Sequence, residues 1–165
     1  LIDAGHTRIA HIAGWEGSLT GRDRRQGFED AMAGAGLTPF AIIDGMYKRN
    51  VAAATARQLM AGETRPDAIF AGNDHMAFAV MDEIRQMGFS IPDDVAIIGY
   101  DDVPLASWPA YDLTTVRQPV NRMVEATIDT LMSAIDGQDT YTQTIEIEGP
   151  LIQRGSSKPL KGSPL

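Results

Sequence analysis

The chain has 165 residues, 44% of them hydrophobic, which is enough for one ordinary domain with a real core. Its 22 acidic residues against 14 basic ones give a net charge of -8, and this argues against nucleic acid as a direct partner of these residues, since that needs a basic face. With no cysteine there is no disulfide, cysteine nucleophile or thiolate metal site, and no apolar run approaches the ~18 residues that would span a membrane.

The chain opens LIDAGHTRIAHI, without an initiator methionine or a charged-then-apolar leader, and is expected to be part of a longer protein. Four apolar runs follow: Arg8 to Ala13, Phe40 to Ile43, Ala68 to Ala71 and Val95 to Ile98. Helical patterns separate them, and spacings of roughly 30 residues are those of βαβ units. The first helix is expected to place Phe28, Ala31, Met32 and Ala35 on one face and to stop at Gly36. The second, Val51 to Ala61, is alanine-rich and ends before Gly62. The third, Asp74 to Met87, carries Met76, Val80, Ile84 and Met87 on one stripe and stops at Gly88. An α/β fold follows, an open parallel sheet with helices on both faces.

After Asp112 the pattern changes. LTTV reads as a short strand, and Pro119 opens a helix that runs to Ile135 and closes at Gly137. Its stripe is Val120, Met123, Val124, Ile128, Leu131 and Ile135. TQTIEIEGPLIQR reads as a strand pair around a break at Gly149 and Pro150, and the Pro-, Gly- and Ser-rich tail from Ser156 to Leu165 is expected to be disordered.

The carboxyl ends of the four strands carry GWEGSLTGRDRR, DGMY, GND and YDD. Ligands of open α/β sheets bind there, so Thr20, Arg24, Tyr47, Asn73 and Asp101 are expected to face a small molecule. An amide and a carboxylate chelate neighbouring hydroxyls, a guanidinium offers two parallel donors, and an aromatic ring covers an apolar face. The set suits a sugar or a similar polyhydroxylated compound, and a nucleobase stays open.

GHTRIAHIAG, RRQGF, GNDHMA, IPDDVAIIGYDD and LTTVRQP, in this order, resemble the effector-binding domain of the lactose-repressor and galactose-repressor family of bacterial transcription regulators. The resemblance runs to Arg154 and implies a periplasmic-binding-protein-like type I fold, here truncated to mainly one of two lobes. It implies that residues 1–117 form the second lobe, that 118–143 cross to a first lobe whose opening strands are missing, as is the helix-turn-helix, and that 144–155 return. Arg24 matches the family arginine that contacts the effector, with Thr20 at a contact position before it. Asn73 and Asp101 match polar contacts after the third and fourth strands, Tyr47 takes a position often aromatic, and Gln118 lies at the crossing. The sequence departs from the family pattern at Trp15, Ala79 and Tyr111–Asp112.

The resemblance implies a cytoplasmic homodimer that senses a small metabolite, with operator DNA bound only through the missing N-terminal domain. The helix from His75 to Met87, tested at Met76 and Val80, and the loop around Trp108 are the expected dimer contacts. The stripe of the Pro119 helix, deprived of its partner, is expected to drive pairing or swapping. The alternative is a periplasmic sugar-binding protein of a transporter, which shares the fold and the strand-end site. An enzyme is not expected, because no nucleophile elbow, metal set or cofactor loop is present. Asn73 also reads as the N-cap of the third helix, Asp93 and Asp94 as turn residues, and His6, His11 and His75 as structural histidines rather than metal ligands.

Overall fold

The computed structural model describes residues 1–137 and 145–157. A six-stranded sheet runs in the order β2-β1-β3-β4-β5-β6. Its strands are β1 Ile9–Ala13, β2 Ala41–Asp44, β3 Ala68–Ala71, β4 Ala96–Asp101, β5 Thr114–Arg117 and β6 Leu151–Ile152. The first five are parallel and β6 pairs antiparallel with β5, so the expected open sheet closes with one reversed edge strand. The helices are α1 Leu19–Gly34, α2 Arg49–Ala61, α3 Asp74–Gln86 and α4 Val120–Ile135, with a 3-10 turn at Pro104–Ser107.

Strand side chains alternate between two cores, as the period of two requires. Ala10, Ile12, Ile69, Ala71, Val95 and Ile97 pack with α2 and α3, whereas Ile9, Ala68 and Ala96 pack with Phe28 and Met32 of α1. Arg57 of α2 holds Glu83 of α3 with two hydrogen bonds of 2.7 and 2.9 Å. Among the described residues, one helix covers the α1 face. Beside it an apolar groove of about 840 Å³ opens, floored by Phe70, Ile98, Tyr100, Val116 and Leu151.

Phe28, Ala31, Met32 and Ala35 of the first helix all border this groove, with Phe28 and Met32 buried and Ala31 and Ala35 exposed. Two expectations are corrected. Only Leu151–Ile152 of the final run forms a strand; Ile145 to Pro150 has no regular structure, and residues 142–144 lie outside the described residues. Ser156 and Ser157, read as the start of a disordered tail, are buried: Ser156 Oγ donates to the Ile97 carbonyl at 2.7 Å and accepts the Thr114 N–H at 2.8 Å. The rest of that tail, 158–165, also lies outside the described residues.

Two of the positions expected at the dimer contact, Met76 and Val80, fail for the same reason that the helix is stable, whereas His75, Arg85 and Gln86 of that helix are exposed. Met76 and Val80 are fully buried under the sheet and α2, so a partner subunit has no access to them. DHMAFAVMDEI is apolar nearly all round, the pattern of a helix covered on every side.

Candidate functional site

β2 lies on one side of β1 and β3 on the other, so the strand order reverses between β1 and β3 and opens a crevice at their carboxyl ends. The two ends approach closely because each continues into glycine: a Cβ on Gly72 would stand 2.7 Å from the Gly14 nitrogen. α1 starts at the rim of this crevice, capped by Ser18, whose hydroxyl accepts the Gly21 N–H at 3.0 Å. Arg24 is thereby carried to the crevice on the second turn of α1.

Arg24 Nη1 donates to the Gly72 carbonyl at 2.6 Å, and Nη2 donates to Asp101 Oδ1 at 3.2 Å. Its guanidinium lies over the Tyr100 ring, 3.8 Å from the centroid, a cation–π contact that fixes the plane of the fork. Gln118 Nε2 donates to the same Asp101 Oδ1 at 2.6 Å. Three of the six expected residues therefore form one network, although they lie up to 94 positions apart in the chain, from Arg24 to Gln118. The Asp101 side chain is 26% exposed and Arg24 13%, so the pair is shielded yet reachable from the crevice.

Tyr47 follows β2 and its ring rests against Gly14, where a Cβ would collide with it. Its hydroxyl is buried and has no hydrogen-bond partner among the described residues. Asn73 caps α3, its Oδ1 accepting the Met76 N–H at 2.9 Å, which leaves its NH2 group as the donor toward a ligand. Thr20 is exposed on the first turn of α1, one turn before Arg24. Trp15, half-exposed after β1, adds an aromatic face beside the crevice that the choice of site residues had passed over.

Two further carboxylates stand behind the network. Asp74, at the first position of α3, is fully buried; Thr115 Oγ1 donates to its Oδ1 at 2.6 Å and the Val103 N–H to its Oδ2 at 3.0 Å. Gly99 makes room for it, since a Cβ there would collide with Asp74 Oδ1. Burial pushes the Asp74 carboxyl up to about 6, against the two hydrogen bonds that favour its anion, with the charges of Asp101 and Asp102 adding to the rise. Asp102 Oδ2 accepts Arg117 Nε at 2.6 Å, and Arg154 Nη2 lies 2.7 Å from its Oδ1. Burial would raise the Asp102 carboxyl, but Arg117 and Arg154 outweigh it and hold the group below the usual carboxylate range.

Asp101 and Asp102 both have positive φ, 122° and 55°, a conformation that costs a non-glycine residue about 1–3 kcal/mol. Neither the strain nor the roles of Asp74, Asp102 and Arg154 was anticipated. The acidic pair at the end of β4 was visible in YDD, but which carboxylate meets the crevice depends on the turn. His11 is a core residue, stacked on Phe70 with centroids 4.6 Å apart. Its Nδ1 donates to the Phe70 carbonyl at 2.9 Å, and burial lowers its pKa to about 4.

A mostly parallel sheet thus carries an acid–arginine–amide network at the crevice where its strand order reverses. Residues 1–157 match the model of the periplasmic binding protein-like domain, and the chain belongs to that family. Its relatives are LacI-type transcription regulators. The ribose operon repressor of Escherichia coli is 39% identical over 159 residues, 95% of this chain and 48% of that protein. A LacI transcriptional regulator from a Rhodococcus species superposes with a TM-score of 0.86 at 32% identity, over 97% of this chain and 59% of that one. The transcriptional regulator CelR, solved as a cellobiose complex, superposes with a TM-score of 0.84 at 32% identity, over 95% of this chain and 49% of that one. The chain spans about half the length of the curated relatives it matches.

Proposed function

We propose that this chain is the effector-binding second lobe of a LacI-type regulator, and that it binds a sugar or a similar polyhydroxylated metabolite in the crevice at the ends of β1, β3 and β4. The observation that carries the reading is the convergence of Arg24 and Gln118 on one oxygen of Asp101. With both donors on Oδ1, Oδ2 is the oxygen left to accept ligand hydroxyls in this reading, while Arg24 and the Asn73 NH2 donate to ligand oxygens. Thr20 and Tyr47 complete the wall. Support for a sugar comes from the relatives, a ribose operon repressor and a regulator solved with cellobiose.

In this reading residues 1–117 are the sensing lobe, 118–143 cross to a first lobe and 144–155 return. No large side chain of the α4 stripe is buried, and Val120, Val124, Ile128, Leu131 and Ile135 are at least half exposed, which suits a helix that seats against another lobe or a second copy. The intact protein would be a cytoplasmic homodimer that meets operator DNA outside this acidic segment. Effector affinity that differs between open and closed lobes would shift the DNA-binding population. Trp108, 59% exposed, remains a dimer contact in this scheme, whereas the buried face of α3 does not.

Thermal-shift and chemical-shift titrations against D-ribose, cellobiose and other sugars test the reading. The expected result is saturable binding of at least one sugar, weakened at least tenfold in Asp101→Ala, as for the loss of a charged hydrogen-bond acceptor. Binding that Asp101→Ala leaves unchanged would remove Asp101 from the site.

A further inference from the structure

We propose that Asp102 is a positioning residue for ligand binding: by tying Arg117 to Arg154 it holds the strained 101–102 turn in the pose that presents Asp101 to the crevice. The proposal rests on the reading of Asp101 as a ligand contact. Consecutive residues at φ 122° and 55° need an external restraint, since neither is glycine and such backbone persists only where its surroundings over-determine it. Asp102 supplies that restraint, with its side chain 5% exposed and a guanidinium on each oxygen.

The two arginines come from the two places where the chain leaves and re-enters the sheet. Arg117 is the last residue of β5, next to Gln118, which itself grips Asp101. Arg154 follows β6 and is anchored independently of Asp102: its Nη1 donates to the Leu113 carbonyl at 2.7 Å and its backbone N–H to Thr114 Oγ1 at 2.8 Å. Arg154 is thus a fixed post, Asp102 the link, and the turn the part being held. The Val103 N–H, held by Asp74, secures the other end of the same turn. Without the Asp102 charge, the turn relaxes toward ordinary φ and Asp101 Oδ1 moves off Arg24 and Gln118. Because both connections meet in one carboxylate, any movement of α4 against the sheet is also felt at Asp101.

The test uses the 165-residue chain as wild type, Asp102→Asn, Arg154→Gln, the double variant, and Arg117→Gln, whose site is half-exposed and tolerates change without core damage. Chemical-shift titration with D-ribose and with cellobiose reads affinity, amide hydrogen exchange reads the 100–104 turn, and thermal unfolding reads the whole fold. Asp102→Asn is expected to weaken binding about tenfold or more and to speed exchange at Val103, while the β1 and β3 amides exchange as in wild type. The double variant should lose no more affinity than its worse parent, because both act through one link, and Arg117→Gln should show a smaller loss of the same kind. Wild-type affinity in Asp102→Asn overturns the proposal. So do additive losses in the double variant, and so does exchange that rises evenly through the sheet, which marks a merely structural role. Should the wild type bind neither sugar, the functional reading fails by itself and exchange decides: acceleration confined to the turn upholds the clamp, and unchanged exchange overturns it.

Discussion

α3 and α4 each show an apolar stripe in sequence, yet nine of the 13 residues of α3 are buried and none of the 16 of α4 is. α3 is sandwiched between α2 and the sheet, with Phe78 also tilted against Tyr111 at 4.5 Å between centroids. α4 leaves the sheet after Gln118 and carries Val120, Val124, Ile128, Leu131 and Ile135 into the open. Periodicity reports that a helix has an apolar side; it does not report what lies on that side. The informative difference is on the other side: α3 is apolar there too, whereas α4 is charged and polar with Asn121, Arg122, Glu125 and Asp129.

The largest expected effect breaks the buried helix. Met76→Asp with Val80→Asp places two carboxylates in a closed core and should cost about 5 kcal/mol or more, abolishing the fold by circular dichroism. A folded double variant would show that α3 can leave the sheet.

A smaller effect is electrostatic and lies at the sheet and at the start of α3. His11 has its pKa depressed to about 4, so the unfolded chain binds more protons between pH 6.5 and 4, and stability falls as pH drops through that range. Asp74 is raised to about 6, so the folded chain binds more protons between pH 6 and 3.8, and stability rises as pH drops through that range. Each is worth about 3 kcal/mol in full, and the two oppose each other. Asp74→Asn, whose amide oxygen can accept the Val103 N–H while its NH2 donates to Thr115 Oγ1, should unmask His11: urea unfolding from pH 7 to pH 4 should show a loss of about 3 kcal/mol beyond that of wild type. Parallel pH profiles for the two proteins would contradict the opposition.

The smallest effect on stability sharpens the contrast. Val124→Asp with Ile128→Asp in α4 should change unfolding free energy by less than about 1 kcal/mol, since both side chains already face water. The same change should shift sedimentation from self-associated to monomeric chain. A loss as large as that from the α3 pair would mean that the α4 stripe is covered within one molecule.

Most of the sheet was readable from local pattern. The four β-branched or alanine-rich runs became β1 to β4, the glycine stops ended α1, α3 and α4, and LTTV became β5. The site was readable where a strand-end rule or a family motif pointed to it, and Arg24, Asp101 and Gln118 do meet. Asp102 with Arg154 was not, because the two lie 52 residues apart and only the antiparallel return of β6 along β5 brings them together. Asp74 was read as the start of the third helix, whereas the closeness of Thr115 to it depends on the glycine at position 99. The buried serines at 156 and 157 carried the composition of a tail, and the backbone groups of Ile97 and Thr114 that hold Ser156 lie in other strands.

The sequence by itself determined the βα rhythm, the polarity of each strand end and the residue types gathered at the crevice, because these depend on period, turn chemistry and spacing along one chain. Only the tertiary structure decided which face of α3 is covered, which of two adjacent aspartates meets the crevice, and which arginines hold the other. Those outcomes depend on contacts between segments far apart in the chain, where packing and a strained turn select among arrangements that local pattern leaves equal.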